Sequence, residues 1–97
     1  MKRFEALAET FTARGAKRSQ MFGMPVLKAG DKVFAGTFGD AMTFKLGPDD
    51  LAKALKRKDV RVFEPMPGRS MKAWVLVPVA SSRAWPALAT QAFADLR

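Results

Sequence analysis

The chain has no cysteine, no histidine and no tyrosine among its 97 residues. Without cysteine there is no disulfide framework, no thiolate nucleophile, no iron–sulfur cluster and no structural zinc site of the usual kind. Without histidine there is no Ser–His or Cys–His dyad and no imidazole base titrating near neutral pH. Catalysis would have to rest on Asp, Glu, Lys, Ser or Thr, or on a bound cofactor. Neither a phosphate-cradling glycine loop nor a calcium-binding loop pattern occurs. Long apolar runs are missing too. The longest uncharged stretches, 73–82 and 84–94, fall short of the ~18 apolar residues a membrane-spanning helix needs. Lys2-Arg3 is not followed by the apolar core of a secretion signal, because Glu5 and Glu9 interrupt it. The reading is of a cytoplasmic chain that needs no metal, cofactor or membrane and is not an enzyme.

What is present describes one ordinary globular domain over residues 1–97. Hydrophobic residues make up 48% and charged residues 27%, enough apolar content for one core and outside the disordered range. Seventeen Lys and Arg stand against nine Asp and Glu, a formal +8, so an anionic partner has to be considered. The excess is spread evenly. Residues 1–48 carry eight basic and four acidic side chains, and residues 49–97 carry nine and five. The densest cluster is Lys56-Arg57-Lys58, with Arg61 nearby.

Periodicity sets the elements. Phe4, Leu7, Ala8 and Phe11 share one face of an amphipathic helix that stops at Gly15. Lys17 to Gln20 reads as a polar connection. A period of two then predicts strands at 26–28, 32–38 and 41–46, joined by turns at Gly30-Asp31 and Gly39-Asp40. Gly47-Pro48-Asp49-Asp50 starts a second helix, the two carboxylates complementing its dipole and the 56–58 cluster falling in its last turn. Val60 to Phe63 is a fourth strand, Glu64 to Ser70 a loop punctuated by two prolines and a glycine, and Met71 to Val79 a fifth strand, central in the sheet. Trp85, Leu88, Ala89, Ala92, Phe93 and Leu96 line a last helix, with Ser81 or Ser82 as cap and Pro86 in its first turn. The order is α-βββ-α-ββ-α. It makes an α+β fold, a single five-stranded antiparallel sheet with helices packed mainly on one face.

Several of these stretches carry a resemblance. Met21-Phe22-Gly23-Met24-Pro25 running into Val26-Leu27-Lys28 and a glycine turn resembles the opening of the TfoX N-terminal domain family. Lys32-Val33-Phe34-Ala35-Gly36 and the run from Gly39 to Leu46 follow in the family's order. So do Phe63-Glu64-Pro65, Gly68-Arg69, the strand from Met71 to Val77-Pro78, and the Trp85-to-Leu96 helix. The match spans essentially all 97 residues, and it is the order of individually weak motifs that carries it. The resemblance implies an α+β fold with the same element order and kinship with competence regulators and small YjbR-like proteins. It also implies a regulatory or protein-interaction role and supplies no catalytic residues. Longer members carry a second, C-terminal domain that is not part of these residues.

Five sets of residues are weighed as candidate sites. Met21 to Pro25 is either a binding lip or core filling by Met21 and Phe22, with a bend at Gly23 and a strand start at Pro25. The 64–72 segment offers an interaction loop through Pro65, Met66, Gly68, Arg69, Lys72 and Trp74. In it Arg69 and Lys72 suit a carboxylate or phosphate, and Trp74 is the aromatic most exposed by parity. Lys17, Arg18, Lys56, Arg57, Lys58 and Arg61 are candidate phosphate contacts for a nucleic acid, or else a solvated face. Their convergence on one face, together with Arg69 and Lys72, would favour nucleic acid over a protein partner, and their scatter would favour solubility. Ser70 and Lys72 share a strand face but lack an oxyanion hole, and Asp49-Asp50 needs no metal to explain it. The expected partner is a protein or a second copy of the chain, with nucleic acid as the alternative.

Overall fold

A computed structural model describes residues 2–21, 23–66 and 68–96, with Lys2, Arg3, Pro65, Met66, Arg69 and Ser70 described by their backbone alone. Helix α1 (Lys2–Thr12) leads into β1 (Lys17–Met21), β2 (Met24–Ala29), β3 (Lys32–Phe38) and β4 (Ala41–Lys45). Helix α2 (Pro48–Ala54) follows, then β5 (Arg61–Met66), β6 (Arg69–Val77), a 3-10 segment (Val79–Ala84) and α3 (Trp85–Asp95). The strands form one antiparallel sheet in the order β1-β2-β3-β4-β6-β5. The fold is therefore α+β with a single antiparallel sheet and three α-helices.

The sheet has six strands, not five. The extra one is β1, whose sequence Lys-Arg-Ser-Gln-Met reads as a polar connection because it is an edge strand with little apolar alternation to display. A basic edge strand also resists pairing with a stray chain. The loop expected at 64–70 is mostly strand as well. β5 runs to Met66 and β6 starts at Arg69, so the connection is a tight turn in which Gly68 has φ +79 and donates its N–H to Glu64 Oε1 at 2.9 Å. Proline in β5 is tolerated because β5 is the other edge, paired to β6 with two register shifts between Val62 and Met66. Helix α2 ends at Ala54, which leaves Lys56–Lys58 in the turn beyond it rather than in its last turn. Neither Ser81 nor Ser82 caps α3; both lie in the 3-10 segment, and Ala84 holds the cap position without a side-chain bond. The other strands keep their expected places within a few residues, and β6 is internal, between β4 and β5.

Antiparallel partners project to the same side of a sheet, and neighbours along a strand project to opposite sides. One row across all six strands reads Arg18, Leu27, Ala35, Phe44, Val75, Val62. Four of its members, Leu27, Ala35, Phe44 and Val75, are fully buried in one cluster with Met42, Val77 and the apolar faces of all three helices. A bulge in β3 adds to this side. Leu27 pairs with Ala35 but Lys28 pairs with Val33, so Phe34 is the extra residue and turns inward beside Ala35. Its ring meets Phe11 of α1 at 5.8 Å and Phe93 of α3 at 5.2 Å. Trp85 closes the end of this core, its indole N–H donating to Val77 O at 3.3 Å.

Candidate functional site

The other face is a different surface. Its central row reads Ser19, Val26, Gly36, Thr43, Leu76, Arg61. Beside it lie Lys17, Lys28 and Val33, partnered across β1, β2 and β3, and Lys45 opposite Trp74 across β4 and β6. A cavity of about 110 Å³ opens on this face and no helix residue lines it. Val26, Val33, Gly36 and Thr43 make its floor; Met21 and Met24 wall one side, and Phe63, Met71 and Trp74 the other. Phe38 and Phe63 pack edge to face with centroids 5.1 Å apart, although two strands separate β3 from β5 in the sheet. The register shifts of β5 and β6 let that arm lean back over the face and turn a flat surface into a hollow.

The floor is apolar because its polar atoms are already used. Thr43 Oγ1 donates to Gly36 O at 3.4 Å, and Thr37 Oγ1 donates to Pro25 O at 3.0 Å. Gly36 is there for space. A Cβ on it would sit 2.9 Å from Val26 Cγ1. The lips remain open to solvent, with Met21 43% and Met71 40% exposed.

Charge is sorted by layer. The six strands carry eight Lys and Arg and a single carboxylate, Glu64, which the turn at Gly68 engages. The three α-helices carry three basic and five acidic residues. Nearly all of the +8 therefore belongs to the sheet, whose open face carries Lys17, Lys28, Lys45 and Arg61 around the hollow.

The residues singled out from sequence divide as follows. Trp74 is half-buried and walls the hollow; Lys72, two residues before it, is exposed. Gly68 forms the hairpin turn. Pro65, Met66 and Arg69 belong to β5 and β6 by backbone, and their side chains lie outside the described residues, as does that of Ser70. Met21 lines the hollow, while Phe22 lies outside the described residues. The candidate phosphate contacts do not converge. Lys17 and Arg18, adjacent on β1, project to opposite faces, and Arg18 is held on the helix side by an ion pair with Glu5 while its guanidinium lies 5.9 Å from the centre of the Phe4 ring. That pair holds the Glu5 carboxyl below its usual range, through the Arg18 hydrogen bond first. Arg61 is on the opposite edge strand, about 24 Å from β1 at roughly 4.8 Å per strand. Lys56, Arg57 and Lys58 are exposed in the turn leading to it.

Two other features lie away from the hollow. A groove of about 300 Å³ between α1 and α3 contains Thr10 and Thr90. Their hydroxyls bond to Ala6 O and Pro86 O of their own helices, and Arg14 lies over the Phe11 ring, so these groups do not converge on a ligand. Asp95 accepts the N–H of Gly47 at 2.8 Å and hydrogen-bonds Asp50, which raises the Asp50 pKa above its usual range. The second carboxylate thus ties α3 to the start of α2. Among the described residues no group of three or more carboxylates is placed to hold a metal, and no helix is long and apolar enough to cross a membrane.

No family model matches the chain, and no curated protein and no solved structure matches it.

Proposed function

We propose that this chain is a non-catalytic regulatory module that recognises a protein partner on the open face of its sheet. One observation carries this: an apolar hollow, lined by no helix residue, on the sheet face to which strand register also assigns Lys17, Lys28, Lys45 and Arg61. An apolar centre inside a polar rim is the anatomy of a protein-binding surface. The motif order shared with the TfoX N-terminal domain family supports a regulatory role. So does the lack of His and Cys, which leaves acid–base and nucleophilic chemistry few groups to work with. The test is affinity capture from native extract with the wild-type chain and with Val33→Glu, which sets a carboxylate in the floor of the hollow. A partner retained by the first and lost by the second is expected. Recovery of no partner, with a strictly monomeric chain in solution, overturns the reading.

A second reading, a nucleic-acid-binding module, is favoured by the cationic excess of the strands. It requires affinity that falls steeply with salt as counterions are released. Absence of binding to duplex and single-stranded DNA at ~50 mM salt removes it.

A further inference from the structure

We infer that the partner's docking segment is an acidic stretch of protein carrying one large apolar side chain, and that this side chain seats in the hollow between Met21, Met71 and Trp74. The inference rests on the reading of the open sheet face as a protein-binding surface and adds the chemistry of what binds there.

Size sets the anchor. Small-molecule sites run to roughly 300–1,000 Å³, whereas this hollow is about 110 Å³. An apolar cavity of roughly 150 Å³ takes a benzene ring. The hollow is of that order and somewhat smaller, so it suits one apolar side chain and is too small for a cofactor or a drug-sized ligand. With the floor hydroxyls committed to Gly36 O and Pro25 O, a polar group entering it would lose its water without gaining a partner.

Charge sets the flanks. A chain lying across the central row crosses from Lys17 and Lys28 on one side, past Lys45, to Arg61 on the other. The strands' lone carboxylate is engaged in the 64–68 turn. Carboxylates on either side of the anchor meet cations in each direction, and a basic or neutral segment meets repulsion or nothing. The same charge disfavours a second copy of this chain docked face to face, since that would set two cationic faces against each other.

The lining favours protein over nucleic acid. Single-strand binding uses successive exposed aromatic platforms. Here the Phe38 and Phe63 rings are packed on each other, which leaves Trp74 as the aromatic wall of the hollow not stacked on another ring, and Met21, Met24 and Met71 line much of the rest. Methionine is flexible and polarisable and adapts to side chains of different shape. The site should accept Leu, Met or Phe as anchor with little discrimination.

The test is selection from a random 12-residue peptide display library on the intact chain, with counter-selection on Trp74→Ala, which keeps every charge. Consensus peptides are then synthesised and titrated by fluorescence anisotropy, with a fluorescein-labelled 15-mer of deoxythymidine as competitor. Enriched peptides are expected to carry Asp or Glu on both sides of a single Leu, Met or Phe. Truncating that anchor to alanine should weaken binding about tenfold or more, and Lys45→Glu, which leaves the buried core intact, should do likewise. A Trp74→Ala variant whose melting curve shows it unfolded is replaced in the counter-selection by Lys45→Glu. Peptides that need the open face but are neutral or basic overturn the inference while the protein-binding reading stands. An oligonucleotide that binds the face and displaces the peptides overturns it in favour of nucleic acid. Failure to enrich any peptide sensitive to these substitutions overturns it; capture from native extract then decides separately whether the wider reading survives.

Discussion

Gly36 carries a prediction whose sign depends on one neighbouring methyl. A glycine in a strand is ordinarily a weakness. Replacing it by alanine at a compatible backbone gains about 0.4–1 kcal/mol by restricting the unfolded chain. At Gly36 the added Cβ would stand 2.9 Å from Val26 Cγ1, closer than carbon atoms tolerate, and 3.4 Å from Thr43 Oγ1. Val26 is 94% buried and β-branched, so it relieves the overlap only by leaving its preferred rotamer or by pushing β2 from β3. Overpacking of this kind costs about 1–3 kcal/mol, which outweighs the entropic gain. Gly36→Ala alone should therefore destabilise by about 1 kcal/mol. Val26→Ala removes the offending Cγ1, and the floor then has room for the new methyl. In that background Gly36→Ala should stabilise by about 0.5 kcal/mol, a coupling of about 1.5 kcal/mol between two residues in direct contact. The assay is urea unfolding of the wild type, both single variants and the double, followed by circular dichroism. If Gly36→Ala has the same effect in both backgrounds to within about 0.4 kcal/mol, the account of the hollow's floor is wrong.

Three further outcomes follow from the core and the charges. Phe34→Ala, at a fully buried ring packed against Phe11 and Phe93, should cost about 3–5 kcal/mol by chemical denaturation, because α1 and α3 meet the sheet through that ring. Trp85→Phe should cost about 2–3 kcal/mol, combining a void with a Val77 carbonyl left without its indole donor. The carboxyls give opposite pH signatures in thermal melts. Glu5, held low by Arg18, contributes stability above the usual carboxylate range, so the wild type's advantage over Glu5→Gln should vanish as pH falls from about 6 to about 3 and shrink in high salt. Asp50, raised by its hydrogen bond to Asp95, contributes stability in acid that is lost as pH rises through its folded-state value, so Asp50→Asn should gain on the wild type over the same rise.

The core was legible in the sequence and the surface was less so, for a physical reason. Phe4, Leu7, Ala8 and Phe11 repeat at the period of a helix, and Met42, Phe44, Val75 and Val77 repeat at the period of a strand, because each buries one face against a common core. Edge strands have no such obligation. β1 turns only the polar Arg18 and Gln20 to the core side, Arg18 with its guanidinium over Phe4, so its sequence gives no apolar alternation to read. β5 can hold Pro65 because its outer side has no neighbour. Reading β1 as a connection also hid the division of Lys17 from Arg18, since only a strand sends adjacent side chains to opposite faces. Trp74 was legible by parity on β6. Val26, Val33 and Gly36 were not, since the hollow exists only once the β5–β6 arm leans over from the far edge.

That arm also explains how an apolar face can stay open without becoming a site of indiscriminate association. Pairing Phe38 with Phe63 turns two rings on this face against each other and leaves a recess that suits one side chain. The rim is cationic at both edges, where Lys17 on β1 and Arg61 on β5 repel another copy's equivalent strand. Self-association through this face would have to overcome like charges, and an apolar contact without carboxylates would gain only one buried side chain. An acidic segment with an apolar anchor meets neither obstacle. On the proposed reading, the cations that oppose docking of a second copy are the same groups that would select an acidic segment.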